Sequence, residues 1–247
     1  LKKEFLYGIN CVAEALTGRR KIYRIYVDAA RLRSHPVAAL VDRARGLGVS
    51  IEVVDTSALR SRVGNVLHQG VVAEAAEFPY LSFGTLASTL KPRSLVLVLD
   101  HIEDPQNLGS MLRSAEAAGV NGVVIPLRRA AHVTPTVSHA SAGAAEHMAV
   151  SLVPNLASAL RTLKDVGLWV VGLENRMEAR VIWDADLTGG LALVVGSEGR
   201  GISPVVCREC DLIVKIPMLG KVNSLNAAVA CSLALYEALR QRRDQGG

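Results

Sequence analysis

With 247 residues, 50% hydrophobic and 21% charged, the chain is a globular protein with one large or two smaller domains, not a disordered one. A net charge of +5 admits a nucleic-acid partner, while an aromatic content of 4% speaks against a recognition surface of stacked bases. No apolar stretch approaches the ~20 residues of a membrane span, and the first residues lack a signal-peptide core. A soluble, cytoplasmic protein with no membrane partner is expected.

The chain opens into a small α/β unit. Ile22 to Val27 reads as a strand, Pro36 to Gly48 as a helix and Val49 to Val54 as a second strand. Thr56 to Gly64 is helical with Thr56 as its expected N-cap, and Gly70 to Ala76 closes a βαβα-type unit spanning residues 1–76. Its basic stretch, Gly18 to Arg24, suggests a grip on RNA phosphates. Residues 77–93 carry prolines and serines with little periodicity and read as a linker or docking segment, with a boundary near Pro79.

From residue 94 to 247 the pattern restarts more strongly. Ser94 to Asp100 is a continuous apolar run, as for a strand covered on both faces, and strands then alternate with helices. This alternation implies an α/β domain with a mostly parallel sheet and helices on both faces. Ligands of such sheets lie beyond the carboxyl ends of the strands, here the loops after Leu99, Val171, Val195 and Ile216. Cys207 and Cys210 form a lone C-x-x-C without a second ligand pair, so no metal is expected, only reduced, mostly buried thiols.

Three segments gather at those strand ends. In the first, Asp100 to Val120, Pro105 opens a helix capped by Asp104 or Asn107, whose apolar face is Leu108, Met111, Leu112, Ala115 and Ala118. Arg113 falls on the opposite side, facing either solvent or a cleft. In the second, Gly196 to Ser203 holds three glycines around Glu198 in a spacing that is neither G-x-G-x-x-G nor a Walker loop. The third runs from Ile216 through a glycine loop to a helix starting near Asn223 or Ser224, where Asn223, Ser224 and Asn226 serve as caps or as site residues. The tail after Arg240 reads as a basic, frayed helix end. No element carries the equipment for a diphosphate, which disfavours a dehydrogenase and leaves a nucleotide-like ligand without phosphates, such as S-adenosylmethionine.

These segments, in this order, resemble the three signature motifs of the SpoU (TrmH-type) RNA ribose 2′-O-methyltransferases. "DPQNLGSMLRSAEAAG" is similar to the first, "LVVGSEGRGIS" to the second and "IPMLGKVNSLNAAVA" to the third, with "VSHASAGAAEHMAV" also family-like. "YGINCVAEAL" and "HQGVVAE" resemble, more loosely, the L30e-like substrate-binding domain of the family's large-subunit rRNA guanosine methyltransferases. The resemblance implies S-adenosylmethionine as methyl donor, RNA as partner, a C-terminal trefoil knot and a homodimer. It places Arg113, Asn107, Glu198, Ser224 and Asn226 in catalysis and substrate placement. Gly196, Ile216 and Leu225 fall at cofactor positions, joined by Gly172 and Met218. The family mechanism has Arg113 activate the ribose hydroxyl, and a bidentate phosphate clamp is the alternative. The competing functions are the same chemistry on tRNA or another rRNA nucleotide, and an inert RNA-binding or ribosome-assembly protein.

Overall fold

The computed structural model describes residues 3–244; the end of the basic tail lies outside them. Two compact units are present, one of residues up to Pro79 together with Val133–His147, the other of Tyr80–His132 together with Met148 onward.

The first unit begins with β1 (Lys3–Tyr7), α1 (Ile9–Ala15), β2 (Ile22–Asp28), α2 (His35–Gly46), β3 (Ser50–Val54), α3 (Thr56–Val63) and β4 (Val71–Ala76). Its sheet runs β1-β4-β2-β3, with only β2 and β3 parallel. Strand alternation sorts the faces. Leu6, Ile25, Val27, Val71 and Ala73 pack under α1 and α2, whereas Tyr26 and Val72 turn to Leu59 of α3. Helix α3 is capped by Asp55, not by Thr56, because the extended Asp55 presents its carboxylate to the Ala58 amide at 2.7 Å.

The second unit continues with α4 (Phe83–Thr89), β5 (Leu95–Asp100), α5 (Pro105–Ala117) and β6 (Gly122–Pro126). After β6 comes the excursion into the first unit, α6 (Pro135–Ala140) and a 3-10 turn (Ala144–His147). The chain resumes with β7 (Val150–Val153), α7 (Leu156–Asp165), β8 (Trp169–Leu173), β9 (Arg180–Val181), β10 (Leu191–Gly196), α8 (Pro204–Cys207), β11 (Leu212–Lys215) and α9 (Ala227–Asp244). The sheet order is β7-β6-β5-β10-β8-β11-β9 and its pairs run parallel. On one face Val96, Val98, Val124, Val170 and Val194 meet Leu86, Leu160, Leu163 and Val206 of α4, α7 and α8. On the other, α9 packs against β8, β10 and α5.

The α/β expectation holds, and the five apolar positions foreseen for α5 are all buried. Two further local readings need correction. The stretch from 77 to 93 is not patternless: Ser82 caps α4, and Leu86 fills the space over Gly122, where an added Cβ would sit 2.5 Å from a Leu86 methyl. The last helix starts at Ala227, later than Asn223, because the residues before it are committed to a loop.

Residues 133–147 join the first unit through a buried ion pair. Arg20 Nε donates to Glu146 Oε2 at 2.9 Å, Ser138 Oγ donates to Glu146 Oε1 at 2.7 Å, and Arg20 Nη1 reaches Glu4 Oε2 at 2.5 Å. Burial pushes the Glu146 carboxyl above its ordinary range, and the Arg20 charge opposes that shift. Among the described residues no helix is long and apolar enough to cross a membrane, and no group of three or more His, Cys, Asp or Glu could hold a metal. The four cysteines are free; burial raises Cys11, Cys210 and Cys231 to about 12, so those three are poor thiolates.

Candidate active site

Beyond the carboxyl ends of β8, β10 and β11 lies a cleft of about 390 Å³. Gly196, the last residue of β10, sits in register with Asp100 of β5, and the loop after it folds back so that Ser197 bridges to Gly201. A side chain at Gly196 would collide with the Gly201 carbonyl, so this turn requires glycine there. Asp100 is fully buried, accepts from the Ser203 amide at 2.7 Å and pairs with His101 Nδ1. Its carboxylate fastens the far end of the glycine loop to β5, a role absent from the sequence reading although Asp100 opens the first segment.

The third segment closes the cleft. Asn175 Nδ2 donates to the Asn223 carbonyl at 2.9 Å, tying the end of β8 to the loop before α9. Lys215 Nζ donates to the carbonyls of Arg176 and Met177 at 3.1 and 2.9 Å, which pins the loop after β8. Glu174 stands against Gly201 and pairs with Arg176 at 2.8 Å.

Asn226 joins all three segments. Its Oδ1 accepts from the amides of Ala228 and Val229 at 3.0 and 3.3 Å and so starts α9. Its Nδ2 donates to Asn107 Oδ1 at 3.0 Å and to Glu198 Oε2 at 3.3 Å. Only this amide orientation satisfies two donors on one side and two acceptors on the other. Asn107 reaches this point because Asp104 caps α5, accepting from the amides of Gln106 and Asn107 at 3.0 and 3.3 Å.

Of the residues foreseen from sequence, Gly196, Glu198, Ile216, Met218, Ser224 and Leu225 line the cleft, and Asn107 and Asn226 are bonded to its edge. Gly172 does not line it. The atoms nearest to where its Cβ would lie belong to Ile213, Ile202 and Cys210; the cleft is lined instead by Leu173 at the end of β8 and by Glu174 and Asn175 after it. Those last two were missed, although they lie just past a strand end. Arg113 is exposed, about 120° around α5 from Asn107, and is not part of the cleft wall.

The lining has apolar walls (Leu173, Val195, Ile216, Leu225), two carboxylates (Glu174, Glu198), and neither lysine nor arginine. A polyphosphate would meet no countercharge there. An uncharged or cationic nucleoside derivative fits.

The SpoU rRNA methylase family model matches residues 94–236, and the model for RNA 2′-O ribose methyltransferase substrate binding matches residues 5–81. The chain belongs to the SpoU rRNA methylase family and is an RNA methyltransferase. A Staphylococcus aureus protein named as a TrmH family tRNA/rRNA methyltransferase is 42% identical to it, over 98% of this chain and 97% of its own. The SpoU methyltransferase AviRb from Streptomyces viridochromogenes, solved in complex with AdoMet, superposes with a TM-score of 0.81 at 26% identity, over 98% of this chain and 91% of its own. A structure described for 2-OH methylation of C/U34 on tRNA is 34% identical with a TM-score of 0.56, covering 62% of this chain and 99% of its own.

Proposed function

We propose that this chain transfers the methyl group of S-adenosylmethionine to the ribose 2′-OH of a guanosine in large-subunit rRNA. The observation that carries this reading is the convergence of Asn107, Glu198 and Asn226 at the edge of a cleft without cationic side chains. When bound, S-adenosylmethionine supplies an electrophilic methyl on a sulfonium. Leu173, Val195, Ile216 and Leu225 would hold its adenosine among apolar surfaces, with Gly196 and Met218 at the loops and the Glu198 and Glu174 carboxylates favouring its positive charge.

The remaining work falls to positioning. Asn226 fixes Asn107 and Glu198 relative to each other, and Ser224, beside them, offers a hydroxyl to the ribose. Arg113 acts as the RNA-facing cation: a guanidinium, which keeps its proton, holds a phosphate at two points and stabilises the developing alkoxide instead of accepting its proton.

The substrate-binding unit supports rRNA over tRNA. The chain described for tRNA methylation is matched almost in full by only 62% of this one, which leaves the rest of this chain without a counterpart there. We also propose a cytoplasmic homodimer with the family's trefoil knot. Val229, Leu233 and Tyr236 support the dimer, forming an exposed apolar stripe at helical spacing on α9, each about half exposed. Mapping 2′-O-methyl groups on rRNA and tRNA from cells with and without the gene tests the assignment. A methylguanosine missing from large-subunit rRNA is the expected result, and a loss confined to tRNA would move the substrate.

A further inference from the structure

Of the arginines in the basic stretch from Gly18 to Arg24, Arg19 is exposed, whereas the other two are engaged within the unit. Arg20 is buried and paired with Glu146 and Glu4, and Arg24 is paired with Glu52 at 2.6 Å. Two further exposed cations of the first unit lie elsewhere. Arg31 and Arg60, exposed and without an ion pair among the described residues, line a concavity of about 520 Å³. It lies between the end of β2, the start of α3 and the loop leading into β4.

We infer that this concavity is an RNA subsite that takes one unpaired nucleotide, its base inward and its phosphates on Arg31 and Arg60. The inference rests on the RNA methyltransferase reading and adds the place and the form of RNA. The polarity of the site sets the orientation. At its floor Asp28 is 6% exposed, with its carboxylate fixed by the Ala30 amide at 3.0 Å and the Thr56 hydroxyl at 2.5 Å. A buried acceptor repels phosphate and suits the N–H edge of a base. At the rim, Asn65 and Gln69 add amides, and Leu67, 72% exposed, offers an apolar surface to a base.

The loop is built to hold this shape. Gly64 and Gly70 bracket it at φ +75° and +84°, and Gln69 itself lies at +54°. His68 Nδ1 accepts from the Gly70 amide at 3.1 Å, and Gln69 Oε1 accepts from the Ile9 amide at 3.0 Å. The Arg31 stem lies over Gly70, where a Cβ would be 2.8 Å from Arg31 Cγ, so the guanidinium is carried at the mouth. A duplex is too wide to enter; a nucleotide splayed from a loop is not.

The test uses the full chain with two fluorescent probes, a hairpin RNA with a single-stranded loop and a perfect RNA duplex. Arg31→Gln and Arg60→Gln together should weaken hairpin binding roughly tenfold or more. Each should lower the slope of log affinity against log salt by about 0.7. Arg24→Gln should bind like the unaltered chain, and all variants should keep their melting temperature and S-adenosylmethionine affinity. Hairpin binding undiminished in the double variant, or equal loss in Arg24→Gln, would overturn the subsite. Duplex binding as tight as hairpin binding, with the same sensitivity, would overturn the unpaired nucleotide. An unaltered chain that binds no RNA would instead overturn the function on which the inference rests.

Discussion

Asn226 donates through Nδ2 to Asn107 Oδ1 at 3.0 Å while its own Oδ1 caps the helix that follows. One side chain therefore starts α9 and ties the first signature segment to the third. The two jobs use different atoms and can be separated. Asn226→Asp keeps a capping oxygen at a helix N-terminus, where negative charge is favoured, but loses the donor and sets a carboxylate against Glu198. Asn226→Ala loses both, at a cost of about 1 kcal/mol for the cap. Thermal melts should show the Ala variant less stable than the Asp variant, with both deficient in methyl transfer. An active Asp variant would remove the Asn226–Asn107 bond from the catalytic account.

Arg113→Lys separates the two roles of Arg113. Lysine keeps the charge but not the two-point fork, and it titrates near ~10.4. Single-turnover rates at saturating RNA should be poor at every pH, with weakened RNA affinity. Activity that climbs with pH at normal affinity would identify the position as a base.

Gly196→Ala places a methyl group against the Gly201 carbonyl. The loop carrying Glu198 must then shift, and calorimetric titration should find S-adenosylmethionine affinity at least tenfold weaker, the level of loss that follows about 1.4 kcal/mol. Unchanged affinity would mean that the loop does not shape the cofactor site.

Arg20→Met leaves Glu146 buried without its partner, a loss of roughly 3–5 kcal/mol at neutral pH. Because burial already raises the Glu146 carboxyl, folding of this variant favours the protonated form. Its stability should thus be highest at acid pH and fall as pH rises through the raised value, a trend weaker in the unaltered chain. Adding Glu146→Gln should flatten the trend. Denaturant midpoints across pH would show it, and a variant that gained stability with pH would reverse the assignment.

The strand runs and the α5 face were legible because apolar periodicity is a local property: Leu108, Met111, Leu112 and Ala115 are apolar at helical spacing wherever the helix goes. The double use of Asn226 was not, since a capping residue and a bridging residue look alike until the partner strands are placed. The same limit hid Asp100, whose bond to Ser203 spans 103 positions, and the burial of Arg20, which reads as one of several surface cations. Deleting residues 1–76 is for that reason a poor test of the substrate-binding unit. It would strip Arg20 from Glu146, so the arginine variants of the concavity are the cleaner probes.

The position of the transferred methyl tests the central claim most directly. The chain is incubated with methyl-labelled S-adenosylmethionine and protein-free large-subunit rRNA, the RNA is digested to nucleosides, and the products are separated by mass. The label should appear in 2′-O-methylguanosine and vanish with Asn107→Ala; label on a base, or none transferred by the unaltered chain, would contradict the account.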